Sequence, residues 1–133
     1  MPARWLLDTS ALITLRDDEP GAERVAALLQ EALNGKAHCF VCFISRMEVL
    51  YRVWKDEGER EARLADAQLL SLPIRWVSCS DALLEQAAVI KACHPLSVAD
   101  AWIAAAALQQ GAVLVHKDPE FPPVALITQE WLG

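Results

Sequence analysis

No run of apolar residues in this 133-residue chain is long enough to cross a bilayer. The longest uncharged stretch, Ala101 to His116, is broken by Gln109-Gln110-Gly111 and falls short of the ~20 residues that a spanning helix needs. Asp8 interrupts the first apolar segment almost at once, so no secretory leader is expected, and a cytoplasmic location without a membrane partner is the expectation. Positive charge is scarce as well. Twelve Lys and Arg against eighteen Asp and Glu leave a formal charge of −6. That sign gives no support for broad electrostatic binding of nucleic acid, so any nucleic-acid chemistry needs a local patch and cations that offset the acids. Cysteine is sparse too. Cys39 and Cys42 make a C-x-x-C, but His38 to Phe43 reads as a strand, where residues three apart face opposite ways. With no second such pair, and with Cys79 and Cys93 standing alone, buried packing is the expected role of these thiols.

What remains is a chain that is 54% hydrophobic, which fits one folded domain spanning residues 1–133 with a core of its own. No linker and no internal repeat divides it. Strand and helix signals alternate. Arg4 to Leu7 reads as a strand, followed by a short helix over Ser10 to Leu15. Val25, Leu28, Leu29, Ala32 and Leu33 recur at helical spacing and stop at Asn34-Gly35. After the second strand, Met47, Leu50, Tyr51 and Trp54 mark an amphipathic helix closed near Gly58, and Glu59 to Leu72 reads as another. Ile74 to Val77 is the third strand. Leu83, Leu84, Ala87 and Ala88 form a helix face that ends near His94-Pro95, and Val98 to Gln110 is a helix apolar almost all round. Ala112 to Val115 is expected as the fourth strand and Val124 to Ile127 as the fifth. This alternation predicts an α/β fold, three layers α/β/α, with a mainly parallel central sheet of four to five strands.

Against that background the acids stand out. Leu6-Leu7-Asp8-Thr9-Ser10 delivers a carboxylate and two hydroxyls to a strand-to-helix junction, the edge where parallel sheets bind ligands. Each acid also has a plain structural reading. Asp8 can cap the following helix. Glu48 in Ser45-Arg46-Met47-Glu48 matches a capping box, and Asp100 in Ser97-Val98-Ala99-Asp100 repeats the offset with a shorter side chain. Asp118, before Pro119, suits a turn. Ser10 can satisfy local backbone. Taken together, however, Asp8, Glu48, Asp100 and Asp118 would converge on one sheet edge, which independent caps have no reason to do. Asp100 sits among Val98, Ala99, Ala101, Trp102 and Ile103, where a lone carboxylate carries a large desolvation cost. An oxygen-rich cluster without histidine or cysteine suits Mg²⁺ or Mn²⁺, ions that lower the pKa of a bound water and clamp a scissile phosphate.

These segments resemble the PIN-domain nucleases and, within them, the VapC-type toxins of toxin–antitoxin modules. Leu7-Asp8-Thr9-Ser10-Ala11-Leu12 is similar to the family's opening motif, with Asp8 the first acid, and Glu48 matches the second. Pro95 to Ala105 resembles its most distinctive segment, with Asp100 the third acid, and Leu114 to Phe121 the last, with Asp118 the fourth. The resemblance covers essentially the whole chain. It departs in one place, because a threonine or serine common two positions before the fourth acid is here His116.

The resemblance implies a PIN-like α/β/α domain, a Mg²⁺- or Mn²⁺-dependent endoribonuclease with one or two ions, an RNA substrate, a homodimer and a cognate antitoxin protein. Asp8, Glu48, Asp100 and Asp118 would be both metal ligands and catalytic residues. Ser10 is a candidate for positioning water or substrate, and Arg46 and Lys117, beside ligand positions, are candidates to meet phosphate. A catalytically silent PIN-like module that binds RNA or a protein is the alternative. A phosphoryl-accepting signalling domain fits less well, since Ile74 to Ser78 ends without an acid.

Overall fold

A computed structural model describes residues 2–133. The strands are β1 (Ala3–Leu7), β2 (Ala37–Cys42), β3 (Arg75–Val77), β4 (Val113–His116) and β5 (Gln129–Trp131). The helices are α1 (Thr9–Arg16), α2 (Ala22–Leu33), α3 (Phe43–Glu57), α4 (Glu59–Leu70), α5 (Asp81–Cys93) and α6 (Val98–Gln109). The five strands form one sheet in the order β3-β2-β1-β4-β5, and every pairing is parallel. β1 therefore lies at the centre, with Leu6 opposite both Phe40 and Leu114.

Period-two alternation sorts the strand side chains into two cores. Leu6, Phe40, Cys42 and Leu114 face α5 and α6, whereas Leu7, Cys39, Val41 and Val115 face α1 to α4. The result is three layers, α/β/α. Cys39 and Cys42 accordingly sit on opposite faces of the sheet, both buried, and burial pushes each thiol up to about 11. No helix among the described residues is long and apolar enough to cross a membrane.

Two expectations need correction. Val124 to Ile127 is not a strand. Val124 and Ile127 are buried in the core, but their backbone turns after Pro122-Pro123, and the fifth strand is Gln129–Trp131. An apolar run shows what is buried and not whether its backbone is extended. The capping box at Ser45 does not exist either. α3 starts at Phe43 directly from β2, so Ser45 is buried inside the helix and Glu48 stands in its second turn.

α6 packs against the sheet through Ala101, Ile103, Ala104, Ala105, Ala106 and Ala107, all essentially inaccessible to solvent. Alanine lets the helix approach the strands closely, and that approach holds Asp100 at the sheet edge. Ala104→Leu should lower stability by about 1–3 kcal/mol through overpacking. Urea denaturation checks it; an unchanged midpoint would show that the helix–sheet gap is looser than its burial indicates.

Candidate metal centre

The four acids singled out above do converge. Asp8 follows the end of β1, Asp118 lies two residues past β4, Asp100 is in the first turn of α6, and Glu48 reaches in from α3. With Thr9, Ser10, Arg52, Lys117 and Pro119 they line a cleft of about 240 Å³ at the carboxyl edge of the sheet. Because β1 lies between β2 and β4, the segments leaving these three strands are forced together there.

Local chemistry places each carboxylate. Asp8 caps α1, its Oδ2 accepting the N–H of Ser10 at 3.0 Å and the Ser10 hydroxyl. Ser10 Oγ also accepts the N–H of Lys117 at 2.9 Å, so one hydroxyl ties the end of β1 to the loop after β4. Ser97 caps α6 by accepting the N–H of Asp100 at 3.1 Å, which leaves the Asp100 carboxylate free of capping duty. Glu48 is held by Thr9, whose hydroxyl donates to Oε1 at 2.6 Å, while Arg52 Nη2 lies 3.4 Å from Oε2. Thr9 has one proton to give and spends it on the carboxylate, so its 2.9 Å contact with buried Ser45 is fed by the serine hydroxyl. Asp118 Oδ1 accepts the N–H of Glu120 at 2.9 Å, and its own N–H donates to His116 Nδ1 at 3.1 Å.

The electrostatics are those of acids crowded out of water. Asp8 is 2% exposed, and burial pushes its carboxyl from 3.8 to about 6, with repulsion from Asp118 and Glu48 adding to the rise. Asp100 is 8% exposed and is raised further, first by burial, then by the closeness of the Asp118 carboxylate and by the negative charges of Asp118 and Asp8. Oxygens of Asp100, Asp118 and Glu120 all lie within 4.8 Å of one another. Asp8 Oδ1 is buried without a hydrogen-bond partner. A buried carboxylate oxygen without a partner, in a cleft lined by other carboxylates, fits a cation, and an all-oxygen donor set suits Mg²⁺ or Mn²⁺.

Sequence reasoning missed two residues and misplaced a third. Arg46 points away from the cleft, where its guanidinium pairs with Asp66 at 2.9 and 3.0 Å. The arginine on the cleft wall is Arg52, whose signal was its i,i+4 spacing from Glu48. Glu120 joins because the turn at Asp118-Pro119 folds it back, its Oε2 accepting the N–H of Ser97 at 3.3 Å. Ser10 and Lys117 also line the cleft.

Fold and site together define an α/β/α protein with a carboxylate cleft at the carboxyl ends of parallel strands. The pattern of the PIN domain family matches residues 5–126, and the chain belongs to that family. Among curated proteins no relative matches it. Several solved structures share the fold. VapBC2 from Rickettsia felis, bound to a DNA fragment from its promoter, aligns with a TM-score of 0.78 and 16% identity over 98% of this chain and 99% of that one. DNA-bound VapBC from Salmonella typhimurium gives 0.76 and 19%, with all of both chains covered. The sarcin-ricin-loop-cleaving toxin VapC20 from Mycobacterium tuberculosis gives 0.69 and 20%, covering 90% and 94%.

A carboxyl whose folded pKa lies above its unfolded value binds its proton more tightly when folded, so stability falls as pH rises between the two values. Without divalent metal, the melting temperature should therefore fall as pH rises from 3.8 through about 6, and Asp100 should extend the fall to higher pH. For Asp8 the loss is on the order of 3 kcal/mol. Asp8→Asn keeps a good helix cap and should flatten the first part of this slope in a calorimetric scan. A melting temperature that rises over that interval would contradict the assigned burial.

Proposed function

We propose that this chain is a divalent-metal-dependent endoribonuclease of the VapC type, the toxin of a toxin–antitoxin pair. The observation that carries the reading is the partnerless buried Oδ1 of Asp8 in a cleft shared with Glu48, Asp100 and Asp118. Membership of the PIN domain family and the fold shared with VapBC toxin–antitoxin proteins support it. So does the shared fold of a toxin that cleaves the sarcin-ricin loop.

In this reading Asp8, Glu48, Asp100 and Asp118 hold one or two Mg²⁺ or Mn²⁺ ions. Such an ion supplies an activated water and a positive charge against the scissile phosphate. The chain's own groups do the rest. Thr9 and Ser10 fix the carboxylates of Glu48 and Asp8 in place, so little reorganisation is left for the moment of reaction. Arg52 and Lys117, on the cleft wall, offer cationic donors to phosphate oxygens. Both are needed locally because a net charge of −6 offers no general attraction to RNA. The cellular setting that belongs with this reading is cytoplasmic, as a homodimer restrained by a cognate antitoxin protein.

Asp8→Asn and Asp100→Asn should each lower cleavage of a structured RNA by at least about 100-fold and relieve growth arrest on expression, with the far-ultraviolet spectrum unchanged. Arg52→Ala should weaken RNA binding while sparing Mn²⁺ binding. Full cleavage by either Asn variant would overturn the mechanism. A wild-type protein that shows no calorimetric response to Mn²⁺ would instead be a silent binding module.

A further inference from the structure

Of the four acids singled out in the sequence, Asp118 is the one carried on the loop after β4 rather than in or capping a helix, and something must fix that loop. The residue that meets it is His116, the last residue of β4, whose side chain is fully buried. Its ring stands edge-on between Phe121 and Trp131, with centroids 5.1 and 5.3 Å away. Nδ1 lies 3.1 Å from the backbone nitrogen of Asp118, and Nε2 lies 2.8 Å from Oε1 of Gln129. Gln129 Nε2 in turn donates to the carbonyls of Phe121 at 2.7 Å and Val124 at 3.1 Å.

Every bond in this chain has only one possible polarity. A backbone N–H can only donate, so Nδ1 must be bare and Nε2 must carry the ring proton. That proton demands an oxygen, which turns the Gln129 amide so that its NH₂ faces the two carbonyls. The loop from Asp118 to Val124 is thereby clamped at three backbone groups by two side chains anchored in neighbouring strands, β4 and β5. Asp118 Oδ1 then closes the turn onto Glu120, whose carboxylate also belongs to the cleft cluster.

We propose that the buried His116–Gln129 pair is the positioning device for Asp118, fixing where its carboxylate stands relative to Asp8 and Asp100. Its effect on metal binding rests on the reading of Asp118 as a ligand. Hydrogen-bonded supports of this kind, when removed, weaken a metal site by about 10- to 100-fold.

Two substitutions separate positioning from packing. His116→Phe keeps an aromatic ring between Phe121 and Trp131 but offers nothing to the Asp118 N–H. His116→Asn loses the ring but returns an acceptor near the place of Nδ1. Mn²⁺ affinity by calorimetry should fall at least about tenfold in the Phe variant and be largely restored in the Asn variant. Melting temperature should rank them the other way, because the Phe variant buries more apolar surface. In the wild type, ¹⁵N spectra of the imidazole should place the proton on Nε2. That measurement also stands if a variant fails to fold. Asp118→Asn serves as the reference. If it weakens Mn²⁺ binding while His116→Phe does not, or if Asn is no better than Phe, the positioning role is overturned and the ligand role stands. A ring proton on Nδ1 overturns it equally. If Asp118→Asn binds Mn²⁺ like the wild type, the ligand reading falls and the inference falls with it.

Discussion

The structure turns on one electrostatic conflict, the gathering of carboxylates at a sheet edge with little water to solvate them. Asp8 and Asp100 are both buried, and burial raises both carboxyls, with Asp118 and Glu48 adding to the rise at Asp8 and Asp118 and Asp8 adding to it at Asp100. Nothing in the apolar layers on either face of the sheet relieves that repulsion. The topology nevertheless enforces it. With β1 central and β2 and β4 beside it, whatever follows these strands must meet above their carboxyl ends. The same arrangement that gives the sheet two buried faces thus creates the site. Under the proposed function, a divalent cation would turn the conflict into binding energy.

Much of this was legible in the sequence, and the misses have physical causes. Leu6-Leu7-Asp8 reads correctly because period-two burial on both faces leaves an apolar strand with a polar terminus. Asp100 was legible as a cleft residue because a charge in an apolar helix needs a reason. Glu48 was attached to the wrong local device. α3 leaves β2 through Cys42 with no side-chain cap, so the boundary carries no signal, and Ser45 imitated one. The fifth strand was displaced because Val124 and Ile127 are buried from a turn, whereas the true edge strand holds the half-exposed Gln129 and Glu130. Arg46 is adjacent to the site in sequence and not in space, since a rotation of two positions on α3 carries it to Asp66. The partners of His116 lie in the loop and in the misplaced strand, so its role could be seen only after folding.

Under the proposed function, an acidic protein with an acidic cleft has to admit a phosphate, and the distribution of its cations bears on that. Arg24 is tied to Glu130 across α2 and β5, Arg16 to Asp17 and Glu57, and Arg46 to Asp66. These exposed pairs add little to stability individually, but they take basic side chains out of play as general anion binders. Lys117 and Arg52 stand on the cleft wall instead, and the contact of Arg52 with Glu48 is long, at 3.4 Å. Attraction for an anion is therefore concentrated at the place where a bound cation would add to it.

Asp8 shows how one side chain serves both folding and chemistry. Its Oδ2 is committed to local structure through the backbone and hydroxyl of Ser10, and through Ser10 to the backbone of Lys117. Its Oδ1 is committed to nothing in the protein. Asn at this position can reproduce the first set of bonds but cannot carry the negative charge of the second oxygen. The cap and the ligand are therefore separable by a substitution that leaves the shape of the turn intact. The structural reading of Asp8 and the proposed functional one are not rivals: the cap occupies Oδ2 and leaves Oδ1, in a residue that lines the cleft, without a partner.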